Sequence, residues 1–292
     1  MLNNHTPYDT INLFLEDCQF RGLSRSTIRD YRWHLNKMQN QLDDLSKTDR
    51  NAIKRLVLMK KESGLSAASV NHYIRVVKAY FTFLYNEGYI HENIMRGLPL
   101  VNEPKKLKPV LGPQKIKLLL EAADGEEFHR LRTKSMILLM WDTAIRLNET
   151  VSITLSDIDY QRNSLHIVGK GNKDRFVPIG NKSKIAILKY LEIRCTNHSD
   201  WLYCTKEGGQ VGKRVFHRIL ERLGKKIDTQ VNPHLLRHSA ATFLARSGMP
   251  AQHLQILLGH SDLGTTQRYI NQVLNLEGLR ISHRKYSPGD RI

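Results

Sequence analysis

One stretch, Asn232 to Tyr269, gathers His234, Arg237, His260 and Tyr269. Two histidines, an arginine and a tyrosine can between them bind an anion, move protons and attack, which points to chemistry on a phosphate. The local punctuation supports that. Asn232 suits an N-cap and Pro233 the first helical position. His234 and Arg237 then share one face of the first turn, at i and i+3. The partial positive charge of a helix N-terminus makes that face an anion site. Gly248 should end this helix, and Pro250 should start a short one closed by Gly259, with His260 just beyond. Thr265 or Thr266 can cap the helix that carries Tyr269. Taken singly, these residues read as a core histidine, a surface arginine and a packing tyrosine.

Upstream segments could complete such a site. A very apolar helix is expected from about Glu127 to Thr143, followed by D-T-A-I-R-L-N-E-T. Arg146 lies between Ile145 and Leu147, so its guanidinium should be partly buried and needs an anion. Glu149 or a ligand phosphate could supply it. Residues 164–179 change to strand periodicity, as two short strands joined by a tight turn. Lys170 ends the first strand, where it is either pushed into a cleft or solvated. The G-K-G-N-K run lacks the spacing of a nucleotide phosphate loop and precedes no helix, which excludes ATP binding there.

The elements that must position these groups fall into two regions. Residues 1–100 read as four amphipathic helices, a small bundle with its own core. Arg25, Arg29 and Arg32 lie on the second helix, and Asn71, Arg75 and Lys78 on the polar side of the fourth. Residues 101–112 are rich in proline and lysine and read as a linker. Residues 113–292 form the second domain. The fold class is therefore mainly α with a small β-sheet.

The chain has 292 residues, with 45 Lys plus Arg against 28 Asp plus Glu, a formal charge of +17. That balance favours a polyanionic partner, nucleic acid first. The N-terminus is no signal peptide and no segment is apolar enough to span a membrane, so a cytoplasmic location is expected. Cys18, Cys195 and Cys204 form no disulfide framework and show no metal spacing, so no metal site is expected.

Four motifs in order resemble the tyrosine recombinases of the phage-integrase type, especially compact Xer-like members. T-A-I-R-L-N-E contains Arg146, and G-K-G-N-K-D-R at 169–175 contains Lys170 and Arg175. H-L-L-R-H contains His234 and Arg237. L-L-G-H-S-D-L-G-T-T-Q-R-Y contains His260 and Tyr269. Ala144 stands where the family usually has glycine, which matters only if the backbone there needs a positive φ.

The resemblance implies an N-terminal core-binding bundle and an α+β catalytic domain with a C-terminal protomer-docking tail. It implies Tyr269 as nucleophile, His234 as base, Lys170 as general acid, and Arg146, Arg237 and His260 around the phosphate. Arg25, Arg29, Arg32, Asn71, Arg75, Lys78 and Arg175 are the expected DNA contacts. No cofactor is implied. The expected partners are double-stranded DNA with paired inverted-repeat core sites and three further copies of the chain, or a heteromeric partner recombinase. The absence of an arm-binding domain before the first helix favours resolution of dimers or transposon cointegrates. A phage or mobile-element integrase, a type IB topoisomerase and a non-cutting architectural DNA-binding protein are the alternatives.

Overall fold

The computed structural model of the chain describes residues 7–42, 48–103, 109–169, 174–194, 199–260, 262, 264–267 and 269. It divides into two compact units, Met1–Leu107 and Lys108–Ile292.

The first unit contains helices α1 (Pro7–Phe20), α2 (Arg25–Gln39), α3 (Arg50–Glu62) and α4 (Ala67–Asn86). Side-chain caps start three of them: Ser24, Asp49 and Ser66 each accept from the backbone N–H three residues on. Helix α4 is the axis of the core. It buries Val70, Ile74, Val77, Tyr80, Phe81 and Leu84 among Phe14 of α1, Leu35 and Met38 of α2, and Ile53 of α3. The buried hydroxyls of Tyr80 and Thr10 pair at 2.6 Å, so this apolar interior carries a satisfied polar link.

Asn71 corrects the expected DNA-contact set. Its side chain is buried, donating to the carbonyl of Val101 at 2.9 Å and accepting from the Val101 N–H at 2.7 Å. Position 71 is one residue from Val70 and three from Ile74, so it falls on the inner edge of α4. Asn71→Ala should cost about 1–3 kcal/mol by leaving the Val101 peptide groups unpaired, with unchanged DNA affinity below the melting transition. Denaturant unfolding and a binding titration test both halves. Arg25, Arg29, Arg32, Arg75 and Lys78 are all exposed; Arg32 also donates to Asn12 Oδ1 at 3.1 Å.

The linker is shorter than its composition indicates. Val101 packs on the first core, and Leu111 is buried in the second, its N–H donating to Ser239 Oγ at 2.8 Å. Both ends are apolar and bury themselves despite the prolines and lysines around them.

The second unit runs α5 (Pro113–Ala122), α6 (Phe128–Thr143), α7 (Leu147–Val151), β1 (Ile158–Asp159), β2 (Ser164–Val168), β3 (Asp174–Pro178), α8 (Asn181–Ile193), α9 (Lys213–Lys226), α10 (Pro233–Arg246) and α11 (Ala251–Leu258). The three strands form an antiparallel sheet in the order β1-β2-β3, with Leu165 opposite Val177 and Ile167 opposite Arg175. Helix α6 is the spine: Met136, Ile137, Leu139 and Met140 are fully buried, and α8 and α10 pack against it. Helix α7 and strand β1 are too short to leave a periodic signal in sequence. Cys18 and Cys204 are buried free thiols, and Cys195 lies outside the described residues. Among the described residues no helix is long and apolar enough to cross a membrane.

Candidate active site

Arg146 is placed by the way α6 ends. Ala144 caps that helix in the left-handed region, at φ 51°, and its N–H bonds to the Met140 carbonyl at 3.0 Å. The reversal sends Arg146 into extended backbone as the N-cap of α7. A left-handed alanine costs roughly 1–2 kcal/mol. Its methyl group is buried with Ala240, Ala241, Leu254, Leu258 and Tyr269, worth about 0.8 kcal/mol. Ala144→Gly should therefore change stability by less than about 1 kcal/mol, as thermal unfolding would show.

Glu149 is the hub of the site. Its carboxylate accepts from the Arg146 N–H at 2.8 Å and from Arg146 Nη1 at 3.0 Å. It also accepts from Arg175 Nη1 at 3.2 Å and Nη2 at 2.9 Å. Arg237 Nη1 lies 3.9 Å from Glu149 Oε2. One carboxylate thus faces three guanidiniums, and a cationic surplus remains for a ligand. Burial pushes the Glu149 carboxyl up, but the hydrogen bonds from Arg175 and Arg146 outweigh it and hold the group below its ordinary value of 4.5.

A depressed folded pKa gives stability that is fully present above 4.5 and lost as pH falls through the folded value. Wild type should exceed Glu149→Gln in stability by about 3 kcal/mol at neutral pH, and the gap should close in acid. Denaturant midpoints measured across that range test it.

Arg175 corrects a second expected DNA contact. It is buried on β3, with Nε donating to the Leu257 carbonyl at 3.0 Å, so it ties the hairpin and α11 to Glu149. Strand alternation explains the placement, because Arg175 shares the inward face with Val177.

The N-cap and first turn of α10 present the next groups. Asn232 Oδ1 accepts from the Leu235 N–H at 2.9 Å, which fixes the helix start. His234 is exposed at the rim. Arg237 is buried; Nη2 donates to the Leu258 carbonyl at 2.9 Å and lies 3.3 Å from His260 Nε2. Its Nη1 is buried with no hydrogen-bond partner. Burial is the main influence lowering the Arg237 pKa and Arg146 adds to it, with Glu149 opposing. Glu149, at 3.9 Å, is the charged neighbour of Nη1 but takes no hydrogen bond from it, so Nη1 keeps a hydrogen to donate to an anionic oxygen.

Gly259 closes α11 at φ 60°. A side chain there would meet Arg175 Nη1 at 2.8 Å, so glycine serves both the turn and the close approach. The turn delivers His260, whose Nδ1 lies 3.0 Å from Thr266 Oγ1 and whose carbonyl accepts from Gln255 Nε2 at 3.1 Å. Tyr269 is 8% exposed; its ring stacks on His260, with centroids 6.2 Å apart, and meets His238 at 5.3 Å. Arg146, His234, Arg237, His260 and Tyr269 all line one cleft of about 490 Å³. Lys170 lies outside the described residues.

Residues 109–274, more than half the chain, match the Phage integrase family, and residues 11–88 match the phage integrase N-terminal SAM-like domain. The chain belongs to the phage integrase family. It is a tyrosine site-specific recombinase of the Xer type. The recombinase is similar to tyrosine recombinase XerA of Pyrococcus horikoshii, with 33% identity covering 89% of this chain and 88% of that one. Its fold is similar to the Tn1549 transposon integrase in complex with a circular intermediate DNA, with TM-score 0.80 and 18% identity over 95% of this chain and 99% of that one. It is also similar to a lambda integrase tetramer bound to a Holliday junction, with TM-score 0.76 and 18% identity over 91% of this chain and 78% of that one.

Several groups at the recombinase site carry no local sequence signal. Glu149 was one of two alternative partners for Arg146, and its hold on Arg175 and Arg237 is a long-range contact. His217 and Asn148 also line the cleft. Apart from the cleft, Arg218, Arg222 and Lys226 of α9 join Arg130 and Arg132 around a separate basic groove of about 720 Å³. The one-sided charge of α9 was the available signal for that groove.

Proposed function

We propose that this recombinase cuts and rejoins double-stranded DNA through a covalent bond between Tyr269 and a 3′-phosphate. The observation that carries the proposal is the shared cleft, which Arg146, Arg237, His260 and Tyr269 line together, with Arg237 Nη1 making no hydrogen bond. A phosphodiester carries one negative charge, and attack on phosphorus adds more in the transition state. Arg146, Arg237 and His260 hold the non-bridging oxygens and neutralise that charge.

The Tyr269 oxygen attacks phosphorus, the P–O5′ bond breaks, and a 5′-hydroxyl leaves. A free phenol has a pKa of about 10, so the attack needs a base; the family resemblance assigns His234, which stands at the rim of the cleft. The resemblance gives Lys170 the general-acid role toward the leaving 5′-oxygen. The phosphotyrosyl bond conserves the phosphodiester energy, so religation by a partner's 5′-hydroxyl needs no nucleotide.

Exchange of one strand pair and then the other passes through a Holliday junction. Four protomers on two inverted-repeat core sites accommodate it, and the tetrameric lambda integrase of similar fold supports that arrangement. The exposed cations of α2 and α4 hold the duplex through phosphates, so binding should weaken steeply with salt. The biological outcome that fits is resolution of replicon dimers or transposon cointegrates.

A plasmid carrying two directly repeated core sites tests the function. Conversion to two circles supports recombination. Relaxation without exchange would assign the chain to the topoisomerase class, and binding without either would make it architectural.

A further inference from the structure

Away from the cleft, the N-terminal unit holds a second chemical cluster. Asp30 and His34 lie one turn apart on α2, and His72 comes from α4. His72 Nε2 is 2.7 Å from Asp30 Oδ2, and His34 Nε2 is 3.7 Å from Asp30 Oδ1. The two imidazoles meet edge to face, with centroids 5.1 Å apart. Donor atoms of the three residues all lie within 4.8 Å of one another, the one such group of His, Cys, Asp and Glu among the described residues.

We propose that Asp30, His34 and His72 bind a divalent first-row transition metal ion, zinc foremost, that ties α2 to α4. Two imidazoles and one carboxylate are a donor set that zinc accepts with an open fourth position. Metal–ligand bonds of about 2.0–2.2 Å place tetrahedral donors roughly 3.3 Å apart. The observed 2.7 and 3.7 Å straddle that spacing, so small side-chain adjustments close the site.

The surroundings fit a metal better than a simple ion-pair clasp. A clasp needs only Asp30 and His72, and it leaves His34 unexplained. The His34 side chain is 14% exposed and packs against the rings of Trp33 and Tyr73, with centroids 4.6 and 5.9 Å away. Its Nδ1 is buried with no hydrogen-bond partner, and its Nε2 is beyond hydrogen-bond reach of Asp30. A metal on Nε2 would give that atom the partner that Asp30, at 3.7 Å, does not supply.

His72 and Asp30 are 49% and 40% exposed, so an ion can enter from solvent. Lys37 and Lys60 lie over the rings of Trp33 and Tyr73, and their charge moderates the affinity. The same two helices carry Arg25, Arg29, Arg32, Arg75 and Lys78, so a bound metal would fix the spacing of cations that face a duplex. The proposal does not depend on the reading of the catalytic cleft.

The full-length chain, stripped with a chelator, should be titrated with Co²⁺ followed by visible absorption, and with Zn²⁺ followed by thermal unfolding. Saturation at one equivalent, displacement of Co²⁺ by Zn²⁺ and a higher melting temperature with Zn²⁺ are expected. His72→Ala and Asp30→Asn should each weaken Co²⁺ binding by about tenfold or more. Absence of saturable binding, or wild-type affinity in both variants, overturns the proposal. Loss of stability in His72→Ala with no response of the wild type to Zn²⁺ also overturns it, leaving a hydrogen-bonded clasp.

Discussion

Tyr269→Phe is expected to abolish strand cleavage while leaving the fold and DNA binding in place. The ring is 8% exposed and packs among Ala144, Ala240, Ala241, Leu254 and Leu258, with His260 and His238 against it. Phenylalanine keeps all of that apolar contact. Stability should therefore change by less than about 1 kcal/mol, while the missing oxygen removes the attacking atom. Loss of a nucleophile in a covalent enzyme costs on the order of a million-fold. Cleavage should fall below detection at unchanged affinity for the core site. Residual cleavage within about tenfold of wild type would move the nucleophile to another residue.

Arg237→Ala carries the second largest effect. The guanidinium joins the start of α10 to the end of α11 through the Leu258 carbonyl, stands beside His260, and has an Nη1 that makes no hydrogen bond. An arginine that meets transition-state charge on phosphorus is worth roughly 10³–10⁵ in rate. Arg237→Lys should recover little, because an ammonium cannot span Leu258, His260 and a phosphate oxygen together. Single-turnover cleavage should fall by that factor. Arg146 and Arg175 still pair with Glu149, so the variant should stay folded. A rate within about fivefold of wild type would remove Arg237 from the phosphate.

What could be read from residue order was mainly what depends on near neighbours. The start of α10 follows from Asn232 and Pro233, and its first turn must then carry His234 and Arg237 together. Other features depend on distant packing. Glu149 meets Arg175 and Arg237, far along the chain, so only the fold reveals that one carboxylate organises three guanidiniums. Arg175 belongs to a motif, yet motif membership does not say whether an arginine touches a ligand or supports the residues that do. Strand alternation with Val177 carried that distinction. Asn71 lies at the border between the polar and apolar sides of α4, and the Val101 peptide decides its side. The left-handed turn at Ala144 was conditional in sequence; the positive φ is present, at an alanine.

The central claim is that Tyr269 becomes joined to a DNA 3′-phosphate in the cleft of Arg146, Arg237 and His260. The most direct measurement traps the protein on a nicked core-site duplex that cannot religate, digests the adduct and sequences the linked peptide by mass spectrometry. One DNA-linked peptide is expected, with Tyr269 bonded to a 3′-phosphate and a free 5′-hydroxyl on the released strand. No adduct on a duplex that the protein binds, a link at any other residue, or a link to a 5′-phosphate would contradict it.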